Sequence, residues 1–325
     1  MDEPIEVTAR LVHQTTPGAI HITLPSTVAL PTGFEQHGRE SVSRLISKYA
    51  AQLAELKALV SSSEHYKAHL HDDIWLLRFL LSHFSKGGVA TAARAALGAI
   101  EWRHANGMDE PTLPCGGPES LKVPAVAKVY NGLRDRAALS YYVPDPDRGT
   151  VLVAVPSMVD FHKLAANMTE EESAIAHRLS TEWLFRQCDV VTRRTGYLTK
   201  TVRLIDLKGL RLSGLNREFQ RRDAKNSKTL EDFYPQLLGA VYLCHAPSWM
   251  QAVWRGMRTI LPARVVEKVD FLEPKRDVRE RARLMRWIAC EHLPECFGGP
   301  CEEWPPPNSR FLPRDTTWPA PVASS

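Results

Sequence analysis

Apolar positions change their period along the chain. Between 41 and 60, Leu45, Tyr49, Leu53, Leu56 and Leu59 recur near helical spacing, which predicts one amphipathic helix. Asp72 or Asp73 caps a second helix. Its body, Ile74-Trp75-Leu76-Leu77-Arg78-Phe79-Leu80-Leu81, is apolar on almost every face, as in a helix buried among others. Gly87-Gly88 then interrupts the pattern. A third helix sets Val89, Ala93, Ala96, Leu97 and Ile100 on one face, runs to Trp102 and meets its cap at Gly107. Residues 41–110 read as a small helical unit, and residues 111–118 read as a linker by their Pro and Gly content.

Beyond the linker the period falls to two. Ala138–Val143 and Thr150–Val155 are β-rich and flank a hairpin loop at 144–149. Thr169 and Glu172 form a capping box that opens a long helix bearing Ile175, Leu179 and Trp183. There follow a strand Thr201–Leu207, a helical stretch to Tyr234, a strand Ala240–Cys244, a helix Ser248–Leu261, a short strand Val269–Leu272 and a basic helix Asp277–Cys290. Single strands alternating with helices need crossover connections, so the expectation is an α/β fold with a mixed, mostly parallel sheet in residues 118–300. Residues 1–40 read as a loosely ordered leader and 301–325 as a Pro-rich, irregular tail.

Composition narrows the function classes. With 44% hydrophobic and 24% charged residues, the 325-residue chain is neither disordered nor collagen-like. The net charge of +4 is mild, and acids interrupt both basic stretches, Arg217–Lys228 and Lys275–Arg286. They read as solvated helix faces, so no nucleic-acid partner is expected. Six cysteines are too sparse for a disulfide scaffold. The start Met1-Asp2-Glu3-Pro4 has no basic or apolar targeting region, and no apolar run approaches the ~18 residues of a membrane span. The expectation is a soluble cytoplasmic protein. The chain lacks Gly-x-Ser-x-Gly, a P-loop, His-Glu-x-x-His and Gly-x-Gly-x-x-Gly, which leaves no motif-based reason to expect an enzyme. Cys290, His292, Cys296 and Cys301 lack the paired Cys-x-x-Cys spacing of structural zinc sites, so neither a metal nor another cofactor is expected.

Ordered motifs carry a further signal. Leu76-Leu77-Arg78-Phe79-Leu80, Glu101-Trp102-Arg103, Leu204-Ile205-Asp206-Leu207-Lys208-Gly209, Phe233-Tyr234-Pro235, Val241–Pro247 and Leu293-Pro294-Glu295-Cys296-Phe297-Gly298-Gly299 occur in that order. In these segments the chain resembles the CRAL-TRIO family, which includes the yeast phosphatidylinositol/phosphatidylcholine transfer protein and the tocopherol- and retinal-binding proteins. The likeness spans roughly Asp72 to Gly299. It implies a helical N-terminal domain and an α/β domain enclosing one lipid in an apolar pocket, with a mobile gate helix over the mouth. The partners it implies are a lipid ligand and, transiently, a membrane surface.

The gate position falls on Ser248–Leu261. Met250, Val253, Trp254 and Met257 recur there on one face next to Trp249, with Gln251, Arg255 and Arg258 on others. A helix packed on the sheet would show the same stripe, and the resemblance decides for a gate suited to a membrane interface. Thr201, Arg203 and Ile205 share one face of the central strand, the face that lines the cavity in the family. Arg203 is then either a phosphate or carboxylate contact of the ligand, or a residue paired with a protein carboxylate or turned outward by a shifted register. Relatives that bind phosphatidylinositol carry an acid after Tyr-Pro, where this chain has Gln236. They also carry a Thr and a Lys after the gate, where it has Val265 and Lys268. A basic pair after Leu80 is missing as well, since Leu81-Ser82-His83 stands there. A phospholipid other than phosphatidylinositol is the expected ligand. The rival class is an interaction module of the same fold without transfer activity, motivated by the missing head-group residues and Pro-rich flanks.

Overall fold

The computed structural model describes residues 38–116, 118–135, 138–145, 147–259 and 263–302. The leader up to residue 37, the tail from residue 303, and Leu261 at the end of the expected gate helix lie outside them. The first predicted helix is two: α1 (Val42–Lys48) and α2 (Ala50–Val60). Tyr49 leaves helical geometry between them (φ −111°, ψ 23°), and its ring sets its edge towards Phe84 at 6.2 Å. No Gly or Pro marks this break, so periodicity alone runs through it.

Asp72, not Asp73, caps α3 (Asp73–His83), its carboxylate accepting the Trp75 amide at 3.1 Å. Gly88, at φ +69°, opens α4 (Gly88–Ala105), and Gly107, at φ +62°, follows its end. Two helices escape the sequence pattern, α5 (Pro124–Asn131) and α6 (Phe161–Asn167). They are only 8 and 7 residues long, too short to show a period. In α5 Pro124 occupies the first turn, where its missing amide has no helical partner to lose.

The hairpin strands are β1 (Leu139–Tyr142) and β2 (Val151–Ala154). The capping box opens α7 (Glu170–Thr195): Thr169 Oγ1 accepts the Glu172 amide at 3.1 Å, and the Glu172 carboxylate accepts the Thr169 amide at 2.9 Å. The chain continues through β3 (Thr201–Asp206), α8 (Arg217–Phe233), β4 (Leu238–Cys244), α9 (Met250–Met257), α10 (Ala263–Val266), β5 (Val269–Leu272) and α11 (Val278–Met285). Helix α9 is shorter than its hydrophobic stripe. Gly256 weakens the last turn, and the Thr259 hydroxyl and amide fold back onto the Gly256 carbonyl at 2.7 and 3.3 Å. Helix α11 stops short of Cys290 because the Trp287 and Ile288 amides both turn onto the Leu284 carbonyl, 2.9 and 3.1 Å away.

The five strands lie in the order β1-β2-β3-β4-β5, with β1 antiparallel to β2 and every other pair parallel. This is the expected mixed, mostly parallel sheet. Val202 and Leu204 of β3 join Val151, Val153 and Tyr242 of neighbouring strands and Leu284, Ile288 and Phe297 beyond them in one buried cluster. On the other side, a larger cluster runs from α1–α4 through Leu184, Phe185 and Cys188 of α7 to Tyr234 and Leu237. Among the described residues no helix is long and apolar enough to cross a membrane.

Candidate functional site

Two cavities flank β3 on the face of Thr201 and Arg203. The first, about 290 Å3, is lined by Thr201, Arg203, Tyr234, Gln236, Val265 and Lys268, with Lys86 and Glu267 at the same site. The second, about 260 Å3, is lined mainly by apolar side chains, among them Leu152, Leu164, Leu184, Ile205 and Phe219. Arg203 and Thr181 line both. The structure thus brings together Thr201, Arg203, Gln236 and Lys268 at a polar compartment, and sets Ile205 in the wall of an apolar one.

The family-like motifs build the frame of the polar compartment. Trp102 stacks on Phe233, ring centroids 4.5 Å apart and planes 15° apart. Beside this stack, Arg103 donates through Nη1 and Nη2 to the Glu182 carboxylate, each at 3.1 Å, and through Nε to Asp109 at 2.6 Å. The Tyr234 hydroxyl donates to the same Glu182 at 2.8 Å. Burial alone would lower the Arg103 pKa, but the charges of Glu182, Tyr234 and Asp109 carry it above its ordinary value. Glu182 is 1% exposed, so this is a buried network in which every member has a partner. Arg78 is fully buried. It donates to Thr192 Oγ1 at 3.1 Å and reaches the Thr199 and Gln236 carbonyls at 3.4 and 3.5 Å. Burial pushes its pKa below the usual guanidinium value. Gln236 takes a left-handed backbone (φ +60°) there, and its side-chain amide donates to Ser82 Oγ at 3.0 Å.

Arg203 stands between the compartments. Register fixes it, opposite Leu152 of β2 and Val241 of β4. It is not turned outward, and it forms no ion pair with a carboxylate among the described residues. Its Nε is buried with no hydrogen-bond partner. A guanidinium edge held out of water without a partner is costly, and it is a ready donor to an oxyanion.

The apolar compartment has a polar strip that the sequence pattern hides. Ser173, His177 and Ser180 of α7 line it together with Asp223 of α8. His177 Nε2 lies 3.3 Å from Asp223. Burial holds the imidazole below its usual pKa; Asp223 opposes that shift and Arg203 adds to it. Burial also raises the Tyr141 hydroxyl, against a hydrogen bond it shares with Ser180. Polar residues at i, i+4 and i+7 read as a solvent face unless the helix is known to be covered on that side. Lys86 escapes as well, because it lies in a turn beyond α3 rather than directly after Leu80.

Helix α9 rests on the apolar end of β3. Met250 is buried with Leu207 and Leu210, and Trp249 and Val253 pack on this small cluster beside Ile205, Leu243 and Phe271. Trp254 sets its ring edge-on to Phe271 at 5.9 Å. Gln251, Arg255 and Gly256 are exposed. Met257 ends the helix, its side chain outside the described ones. Asp206 at the strand end holds the Lys208 amide at 3.0 Å and His245 Nδ1 at 2.9 Å, a structural use of the turn carboxylate. Pro294 and Cys301 pair in a terminating turn, and no group of three His, Cys, Asp or Glu among the described residues could hold a metal.

Comparison with known proteins matches residues 137–299 to the model of the CRAL/TRIO domain. The SEC14 cytosolic factor of Eremothecium gossypii is 27% identical over 266 residues, covering 78% of this chain and 77% of that protein. An Arabidopsis thaliana protein named phosphatidylinositol/phosphatidylcholine transfer protein SFH4 is 22% identical over 280 residues, 82% of this chain and 43% of that protein. The crystal structure of Sfh5 superposes with a TM-score of 0.50 at 12% identity, over 81% of this chain and 86% of that one.

Proposed function

The chain belongs to the CRAL/TRIO domain family, and on that premise we propose that it binds one phospholipid and exchanges it at membranes without covalent chemistry. The observation that carries this reading is Arg203, which lines both the polar and the apolar compartment and has a buried Nε without a partner. A phosphodiester on Arg203 would send its head group towards Lys268 and Gln236 and its chains along Ile205 and Leu152. Gln236 and Val265 replace the acid and threonine of phosphatidylinositol-binding relatives, so an inositol head group is not the expected one.

A two-chain lipid hides ~30 methylenes, each costing about 0.8 kcal/mol in water. Transfer from bilayer to an apolar pocket is nearly neutral, so the barrier lies in opening the protein. Neither compartment exceeds the lower end of the ~300–1,000 Å3 typical for drug-sized ligands, and a diacyl lipid is larger. Loading therefore requires a wall to move. Helix α9 fits that part: a small satellite cluster holds it, and it carries Trp249 and Trp254 beside the exposed Arg255, as suits an interfacial helix.

Native mass spectrometry of the purified protein, lipid extraction and an exchange assay between mixed liposomes test the proposal. A stoichiometric phospholipid that is lost in Arg203→Ala is the expected result. A protein that neither carries nor exchanges lipid would instead be an interaction module on the same fold.

A further inference from the structure

A third cavity, about 170 Å3, is lined by Lys200, the residue before β3, and shares no lining residue with the two compartments described above. Lys200 immediately precedes β3, Arg148 lies in the loop before β2, Arg286 follows α11, and Arg39 and Glu40 belong to the segment ahead of α1. Glycines let these pieces close in. A Cβ on Gly149 would stand 1.9 Å from the Lys200 carbonyl oxygen, and one on Gly239 2.3 Å from the Trp287 ring. Neither position admits a side chain without moving a wall of the cavity.

The charges do not balance. Arg148 meets Asp145 at 3.0 Å and donates to the Met285 carbonyl at 2.7 Å. Asp147, whose charge also reaches Arg39, is engaged at 3.3 Å by Arg194. Arg286 is oriented by a neutral acceptor, the Gly38 carbonyl at 3.0 Å, whereas Arg39 donates to Thr199 Oγ1 at 2.9 Å within reach of the Asp147 and Asp145 charges. The Lys200 ammonium makes no hydrogen bond or ion pair among the described residues. Among the described residues of the lining, Glu40 is the one acid, against four cations. Burial, and then the neighbouring charges of Lys268, Arg78 and Arg286, push Lys200 down to about 8, with Glu40 opposing. Such repulsion persists in a fold only if its cost is small or if something offsets it, and an oxyanion in the cavity would offset it.

We propose that Lys200, Arg286, Arg39 and Arg148 form a second, phosphate-binding site that is separate from the lipid cavity and takes a phosphomonoester. The bond expected at its centre is a charge-assisted one from Lys200, with Arg286 donating from the rim. A phosphomonoester reaches such a site either as a soluble metabolite or as a lipid head group at the membrane surface. The proposal does not depend on the identity, or the existence, of a lipid in the other cavities.

The test uses the full chain with two probes: glycerol 3-phosphate followed by calorimetry, and phosphatidylcholine vesicles with or without phosphatidic acid followed by co-sedimentation. Lys200→Gln and Arg286→Gln are compared with wild type and with Lys228→Gln, an exposed residue of α8. Saturable binding of glycerol 3-phosphate that weakens about tenfold or more in Lys200→Gln, and not in Lys228→Gln, supports a soluble ligand. No soluble binding, but a phosphatidic-acid-dependent vesicle association lost in both site variants, supports a membrane ligand. If Lys200→Gln fails to fold, Arg286→Gln at the rim carries the comparison alone. Binding that is absent with both probes, or equal in wild type and site variants, overturns the site.

Discussion

Strand β3 sends alternate residues to two faces that are filled in different ways. Towards α11, Val202 and Leu204 are 1% and 0% exposed, and their neighbours are a closed set of apolar side chains. Towards α7, Thr201 is as deeply buried, yet Arg203 and Ile205 stand half-buried between two cavities. The same six residues in one pleat thus serve stability on one side and leave room on the other. Close packing forfeits little stabilisation, and gaps forfeit much. Under the proposed function, a ligand rather than the protein completes the packing of this unfilled face, where Arg203 Nε is buried without a partner.

The most direct way to break this contrast is to truncate neighbouring positions of β3. Leu204→Ala removes a fully buried side chain from the closed cluster and is expected to cost about 3 kcal/mol. Ile205→Ala, beside a cavity that already exists, is expected to cost less than half of that and to change lipid exchange instead. Urea midpoints at unchanged slope measure both. Equal losses at the two positions would mean that the faces are packed alike and that the contrast is only one of shape.

A second prediction concerns His71, next to the α3 cap and away from the lining of both compartments. His71 is 1% exposed; its Nδ1 accepts the Lys67 amide at 3.0 Å, and its Nε2 has no hydrogen-bond partner. Burial pushes it down to about 4, against the nearby Asp109 and with Arg103 adding to the shift. The unfolded chain therefore takes up a proton near pH 6.5 that the folded chain refuses until about pH 4. Stability is full above about pH 6.5 and falls as the pH drops through that window, by up to about 3 kcal/mol. His177, also lowered, acts in the same direction. Denaturant midpoints between pH 7 and pH 5 should fall for the wild type and flatten for His71→Gln. An unchanged slope in that variant would move the sensitivity to the cavity side, onto His177.

Much of this architecture could be read from the residues alone, and the boundary of what could be read is physical. The capping box at Thr169, the mixed and mostly parallel character of the sheet and the face shared by Thr201, Arg203 and Ile205 follow from local spacing, whereas the order of the strands does not. The resemblance marks Gln236 and Lys268 as head-group positions, and the parallel registers of β3 with β4 and of β4 with β5 bring them to the compartment of Arg203. The polar strip of α7 and Lys86 could not be read this way, because a polar residue signals solvent until the element covering it is known. Helices α5 and α6 are shorter than the window a period needs. The ends of α9 depend on Gly256 and Thr259, whose effect on the last turn is set by hydrogen bonds rather than by hydrophobic pattern.

The smallest expected change in stability tests the contrast most closely. Arg203→Met keeps much of the side-chain length and removes the charge. If Arg203 served the fold, its loss would leave a buried partner unsatisfied and cost about 3–5 kcal/mol, as when one member of a buried pair is removed. It has no such partner among the described residues, and its own Nε goes unsatisfied. Removing that group deletes a desolvation cost, so the variant should be within about 1 kcal/mol of wild type, on either side. Bound phospholipid, measured by extraction from the same preparation, should fall severalfold at the same time. A stable variant that loses its lipid separates the role of Arg203 from the packing role of Leu204, one residue away on the opposite face. A destabilised variant that keeps its lipid would place Arg203 with the fold and leave the phosphate to Lys268 and Lys86.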